Sequence, residues 1–520
     1  MNGDAVLLLL VLFIRQMIPV VVVDAIDFQV ISEGFLPTTD SGQTSKNNTL
    51  RPDCPEICSC SFIFDTHAGQ NGWKEIKEMA GPVVLAVQGA RAVVCRDLGL
   101  RVPPQNLPSD THRLDLSGNS LIPGSLVFLR DLHSLQILVL TRCKVRTMEE
   151  LFAGGQQWSF VALDTLVLDN NELMRLTSSS HGFVKMVTLR SLSLVNNRID
   201  FIHPNAFSGL VQLEDLNLSK NRLFNLLDNR WMFFLPVLQR LNLSGNLIHT
   251  LHNSSFEHLS RIRLLDLSSN RILLIQTGAF VGLEDLLRLD LGRNNLIAIP
   301  SLDLAAPNSL AHLDLSDNCV EEIPKGSFWN LSSLESLTLN KMKCLQIVDE
   351  LSFVNLVSLT RLEISRCSRL AYIHRDAFKN IGRLKTLVIH SNAMETVEEG
   401  ILHSLPSLTE LDLHSNPLTC DCAMQWLVRK QNHLPTLLNT RFLTCRRPIA
   451  LQDLSLVDVP INRWSEKCVP RVLPLFKEQI EVMVSESVLL RCLAVGLPPP
   501  FTTWVLPHPV KSQEENNSRV

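Results

Sequence analysis

Tyrosine is almost missing from this 520-residue chain: there is one, and aromatic residues make up only 6%. That excludes a Tyr-rich paratope of the antibody type. Charge is also sparse, at 19% of residues with a net charge of -4. No polybasic signature results, which argues against nucleic acid as a partner. No Gly-rich phosphate loop, H-E-x-x-H, G-x-S-x-G or paired-acid motif occurs, so there is no catalytic constellation and no enzyme is expected. No cofactor is expected either. After the first 25 residues no apolar run approaches the roughly 20 residues needed to cross a bilayer. Membrane attachment would therefore need a segment that is not in this sequence.

What is present is repetition. Ile262 to Val320 reads IRLLDLSSNRI, LLRLDLGRNNL and LAHLDLSDNCV, one block roughly every 24 residues. Each follows L-x-x-L-x-L-x-x-N-x-L, the leucine-rich repeat signature, whose Leu residues line the inner side of a short strand. One unit cannot bury its own apolar face, so the blocks must stack into a solenoid. Thirteen Leu pairs fit the pattern, from Leu114-Leu116 through Leu265-Leu267 to Leu411-Leu413. The expected fold is an α/β-type solenoid, a curved horseshoe with a parallel sheet on its concave face. Phe207, Phe256, Phe280, Phe328, Phe353 and Phe378 recur before the repeats and should stack as a second column. Asn119, Asn171, Asn197, Asn221, Asn246, Asn270, Asn294, Asn318, Asn392 and Asn416 should bond buried backbone in the turn after each strand. Losing such a partner costs on the order of 1–3 kcal/mol. Cys143 and Cys367 take the same place, and Met342 breaks the rule and should mark an altered turn.

The 13 cysteines indicate an oxidising compartment, because nine lie in terminal clusters and four are scattered. The scattered four, Cys143, Cys319, Cys344 and Cys367, read as reduced small hydrophobes rather than a redox site or disulfide. Residues 1–25 read as a secretory signal peptide with a signal anchor as the rival, and 26–53 as a flexible leader. A Cys-rich cap is expected over 54–106, repeats over 107–416, a second cap over 417–469, and an incomplete immunoglobulin-like domain over 470–520. That last reading rests on Cys492-Leu-Ala-Val-Gly-Leu-Pro-Pro-Pro-Phe-Thr-Thr-Trp504, which looks like strand, turn and strand of such a sandwich. With no partner for Cys492, the chain reads as a fragment.

The Cys54-Pro-Glu-Ile-Cys58-Ser-Cys60 cluster with Cys95 resembles the N-terminal cap of extracellular leucine-rich repeat proteins. Cys420-Asp-Cys422, Trp426, Cys445 and Cys468 resemble the C-terminal one. With Ser368 to Phe378, Asp228-Asn-Arg-Trp231, Leu339-Asn-Lys-Met342 and Arg441-Phe-Leu-Thr-Cys445, the chain resembles the leucine-rich repeat neuronal proteins from about Cys54 to Trp504. The resemblance implies the pairs Cys54–Cys60, Cys58–Cys95, Cys420–Cys445 and Cys422–Cys468. It also implies a single-pass glycoprotein on the extracellular side of the plasma membrane, active in neuronal adhesion or as a co-receptor. A receptor of another repeat-plus-immunoglobulin family, or a secreted matrix or inhibitor protein, is the alternative.

Binding residues are sought on the concave face. The position between paired Leu residues holds Asp266, Asp290, Asp314, Glu363 and Asp412, with Arg240, Arg288, Arg293, Lys341, Arg361 and Arg366 alongside. A mixed charged face suits a protein ligand or cell-surface receptor oriented by charge, and a homophilic contact is compatible with it. The competing reading is that Asp there simply faces water. Glycan acceptors occur at Asn47, Asn217, Asn242, Asn253, Asn330 and Asn516. His390 and His414 hold one outward position on adjacent repeats, about 4.8 Å apart, where they could share a metal or titrate together. Two solvated histidines is the plainer reading.

Overall fold

In the computed structural model, residues 54–55, 57–62, 91–152, 162–177, 183–428, 435–464, 468, 471–474 and 492–495 are described. The chain divides into two compact units, the larger of which is built from Asp53–Pro470 with Gly496–Phe501. That unit is a parallel-sheet solenoid. The strand Arg240–Asn242 shows why. Leu241 and, one step beyond the strand, Leu243 turn inward and are buried, while Arg240 and Asn242 turn outward and are half-buried. Side chains alternate across a strand, so one Leu-x-Leu triplet presents two apolar groups to a single face. Each such burial contributes about 1.5–3 kcal/mol.

The strands that carry the Leu pairs run parallel to one another without a register shift, Arg240 opposite Asp215 on one side and Leu264 on the other. Among the described residues the sheet has 16 strands. Thirteen carry the Leu pairs, and the caps supply the rest. Ser59–Phe62 runs antiparallel to Arg91–Val94, which begins the parallel run, and Thr436–Leu437 ends it. Both sheet ends thus borrow a strand from a cap, which covers the edge that repeats alone would leave open.

After each strand the chain turns through a residue with left-handed backbone, Gly245 at φ 67° being one and Arg293, Lys341 and Arg366 others. A left-handed residue other than Gly costs about 1–2 kcal/mol. The next side chain offsets it. Asn294 donates to the carbonyls of Leu267 and Leu291 and accepts from the Ile272 amide. The same three contacts recur at Asn221, Asn246, Asn270 and Asn318.

Met342 does not alter the turn. Lys341 before it has φ 58°, against 57° at Asp317 and 59° at Arg366, and the Met side chain is fully buried. The left-handed residue, not the amide, sets the backbone path there.

The reading of four reduced cysteines is corrected for two of them: Cys319 and Cys344 form a disulfide. It joins the turn holding Asn318 to the turn holding Met342, where the amide ladder is interrupted. Cys143 and Cys367 are free and buried. At the caps, Cys54–Cys60, Cys58–Cys95, Cys420–Cys445 and Cys422–Cys468 are bonded.

Opposite the sheet, aromatic rings stack between consecutive repeats. Phe328, Phe353 and Phe378 lie 5.4 and 5.3 Å apart at interplanar angles of 5° and 11°. Phe183, Phe207 and Trp231 meet at 5.6 and 5.5 Å in tilted and edge-on contacts, at 39° and 73°, rather than stacked ones. Leu304, on the short helix Ser301–Leu304, is buried between the Phe280 and Phe328 repeats.

The other compact unit includes Arg471–Pro474 paired antiparallel with Cys492–Val495. The rest of the immunoglobulin expectation, Trp504 included, lies outside the described residues, as do the signal peptide, the leader, Asn47 and Asn516. Among the described residues no helix is long and apolar enough to cross a membrane.

Candidate functional site

The solvent face of the sheet is built from three outward columns. The central column runs Asn217, Asn242, Asp266, Asp290, Asp314, in register across five adjacent strands. Each side-chain oxygen accepts from the backbone N–H two residues on: Ser219, Ser244, Ser268, Gly292 and Ser316. The bond fixes every rotamer, so this column is rigid. Its three carboxylates repel one another. Burial first, then Asp314 and Asp266, push Asp290 up to about 6. The two Asn residues extend the same geometry without adding charge.

The second column lies at the strand starts. Arg240 pairs bidentately with Asp215, a partner the sequence reading missed although the two occupy one register position. Arg288 stands opposite His312, whose pKa is lowered by burial and by Arg288. Arg361 binds Glu363 on its own strand, and Glu363 also accepts from Asn340 Nδ2 at 2.8 Å. Asn340 in turn accepts from the Ser365 amide and hydroxyl.

The third column is the left-handed turn position, with Arg293, Lys341 and Arg366 exposed there. Of the nominated binding residues, Arg288, Asp290, Arg293 and Asp314 thus lie together on two neighbouring strands and the turn after the first. Lys341, Arg361, Glu363 and Arg366 group on the next two repeats.

Asp412 is a correction. It is not a solvent-facing carboxylate: the residue is 5% exposed, its Oδ1 accepts from His414 Nδ1, and its Oδ2 accepts from Asn439 Nδ2 at 2.9 Å. Asn439 belongs to the cap that packs on the last repeat, so the cap closes over this end of the column.

His390 and His414 stack face to face, their ring centres 4.2 Å apart at 18°. Each Nδ1 is already engaged, that of His390 with the Ser391 hydroxyl at 2.9 Å and that of His414 with Asp412. Among the described residues no group of three or more His, Cys, Asp or Glu could hold a metal ion. Phe442 of the cap lies beside His414 at 6.1 Å, with the Arg441 guanidinium 4.8 Å over its ring. No repeat-based signal would have placed Phe442 here, because the cap does not follow the period.

The glycan acceptors divide by face. Asn217 and Asn242 are neighbours in the central column, half-buried. Asn253 and Asn330 are exposed and away from the sheet. Asn330 has left-handed backbone, φ 66°, and follows the exposed Trp329.

The leucine rich repeat family model matches residues 161–223, 224–272, 260–319, 308–368 and 358–418. The human leucine-rich repeats and immunoglobulin-like domains protein 1 is 31% identical over 174 residues, 29% of this chain and 15% of that protein. The human leucine-rich repeat, immunoglobulin-like domain and transmembrane domain-containing protein 2 is 29% identical over 97 residues, 18% of this chain and 17% of that protein. The matches therefore span less than a fifth of the length of either relative. Among solved structures, the TLR13-ssRNA13 complex gives a TM-score of 0.53 at 24% identity, covering 69% of this chain and 59% of that one. That likeness concerns the fold alone. Periodic Leu and Asn columns, one register-locked parallel sheet and the matched repeats together place this chain in the leucine-rich repeat family.

Proposed function

We propose that this chain is an extracellular protein-recognition module that acts in cell adhesion or as a co-receptor modulating receptor signalling, in the neuronal class. The observation that carries this reading is the hydrogen bonding that holds the charged side chains of the sheet face. Asp266, Asp290 and Asp314 are held by backbone amides, and Glu363 by Arg361 and Asn340. Side chains already fixed lose little entropy when a partner docks, so a preorganised charged face favours binding and sets orientation. The five disulfides among the described residues fit an oxidising, extracellular setting. The division into caps over 54–106 and 417–469, repeats over 107–416 and an immunoglobulin-like start over 470–520 belongs to the proposal. So does membrane attachment through a further segment.

Sugars on Asn217 and Asn242 would screen the middle of the sheet face. In this reading the partner therefore uses Arg288, Asp290, Arg293, Asp314, Lys341, Arg361, Glu363 and Arg366 on the later repeats. The test is proximity labelling at the surface of cells bearing the full-length protein, with Asp290→Lys/Arg293→Glu as the comparison. The expected result is a labelled membrane or secreted protein whose signal falls at least about fivefold in the variant. Unchanged labelling, or recovery of nucleic acid instead of protein, would refute it. Fractionation of the same cells separates a membrane-held molecule from a secreted matrix or inhibitor protein.

A further inference from the structure

The two carboxylates that act on His390 are already hydrogen-bonded. Asp412 is divided between His414 and Asn439, and Glu363 between Arg361 and Asn340. The cationic side is not. Arg366 is exposed at the left-handed turn beside His390, its own N–H donating to the His390 carbonyl at 3.0 Å, and no ion pair engages its guanidinium among the described residues. Lys341, one repeat earlier, is exposed in the same column. On the far side, Arg441 stands over Phe442, next to His414.

The histidine nitrogens point the same way. A carboxylate only accepts, so His414 Nδ1 must donate to Asp412. Its Nε2 is the ring nitrogen left for an outside partner. His390 Nδ1 meets the Ser391 hydroxyl, which can donate or accept, so from either tautomer the protonated ring offers Nε2 as a donor. Two imidazolium rings 4.2 Å apart repel each other unless an anion lies between or beside them. Burial, then His414, lower the pKa of His390, with Arg366 acting in the same direction and Asp412 and Glu363 opposing.

Resting on the protein-recognition reading above, we propose that Arg366, His390 and His414 form a docking site for a carboxylate side chain on an acidic segment of the protein partner. Arg366 supplies a permanent charge, and the His390 imidazole supplies a donor that strengthens as pH falls. Phe442 brings apolar surface beside the stack, which strengthens charge-assisted bonds made next to it. The sign follows from the chemistry. An anion binds the protonated His390 ring better than the neutral one, and burial holds that ring below the ordinary imidazole value of 6.5, so affinity rises as pH drops below it.

The test uses the full chain, secreted from mammalian cells, and a fluorescein-labelled oligoglutamate peptide read by anisotropy. Binding is expected to be saturable and roughly fivefold or more tighter at about pH 5.5 than at about pH 7.4. His390→Gln/His414→Gln should remove the pH step and keep the weaker binding, whereas Arg366→Glu should abolish binding at both pH values. Arg271→Glu, an exposed charge after a different turn, should change nothing, and thermal melts confirm that each variant is folded. The proposal is overturned by equal affinity at both pH values, by a pH step that survives the double His variant, or by binding of a sulfated oligosaccharide but not the peptide. If cell-surface labelling still depends on Asp290 and Arg293 while the peptide fails, only this inference falls.

Discussion

At the scale of single residues, the turn after each strand shows how one side chain can be exchanged for another of different chemistry. Asn294 satisfies two carbonyls and one amide that water cannot reach. Cys143 does part of this with a thiol: its Sγ donates to the Leu116 carbonyl at 3.3 Å, while the Cys143 amide is taken by Asn171 of the next repeat. Cys367 repeats the arrangement against Leu339 and Asn392. A thiol is a weaker donor than an amide, but it fits the apolar side of the turn and keeps the essential carbonyl partnered. Burial pushes both thiols up to about 11. The thiolate is the nucleophile, so at neutral pH almost none is present and the sulfur is out of reach. Native protein treated with iodoacetamide should therefore show no adduct at Cys143 or Cys367 by mass spectrometry, and denatured protein should show both. Rapid labelling of either in the native state would contradict their place in the turn.

At the scale of elements, the aspartate ladder trades stability for a charged face. Asp290 is an acid whose pKa in the folded chain, about 6, exceeds its ordinary 3.8. Above the folded value it is ionised in both states and its charge costs stability; as pH falls through 6 toward 3.8 that cost disappears. Asp290→Asn should keep the bond to the Gly292 amide, as Asn242 does with Ser244. The variant should gain about 1–2 kcal/mol at neutral pH, discounted for partial exposure, and nothing near pH 4. A melt series over that range would decide it, and a gain that persists at the acid end would mean that packing, not charge, is responsible.

The Cys319–Cys344 bond acts on the neighbouring element pair. It closes a loop of 25 residues, worth about 3 kcal/mol in the chain-entropy model. Cys319→Ser/Cys344→Ser should speed amide exchange in the Asn318 and Met342 turns more than in the Asn221 turn. Uniform exchange along the chain would reject a local role.

These elements also show what can be read from a sequence. The Leu and Asn columns are legible because each repeat contributes one residue at a constant offset from the strand. Trp231 and Leu304 in the aromatic column are harder to see, since the spacer behind the strand varies in length and tolerates any large apolar group. The strands Arg91–Val94 and Thr436–Leu437 carry no repeat at all and take their register from the sheet they join. The mid-chain disulfide had a usable signal: a separation of 25 residues is one repeat, so stacking alone brings Cys319 beside Cys344.

At the scale of the whole molecule, the question is how much of the sheet face is open to a partner, and the sugars decide it. Asn217 and Asn242 are register partners on adjacent strands, hence about 4.8 Å apart. In each, Oδ1 is bound to the Ser amide two residues on, which leaves Nδ2 as the atom that takes a sugar. A branched glycan is far wider than one strand spacing, so two cannot stand side by side without mutual exclusion. Glycopeptide mapping of the secreted chain should find molecules modified at Asn217 or at Asn242 but few modified at both, while Asn253 and Asn330, on separate exposed turns, fill independently. With either position occupied, exchange protection by the partner should fall between Arg288 and Arg366. Asn217→Gln/Asn242→Gln, which removes both sugars and retains a neutral polar column, should let protection spread toward Asp266. Full double occupancy would show that the two sugars diverge along the column. The partner would then have to meet the face from the turn side, where Arg293, Lys341 and Arg366 already point outward.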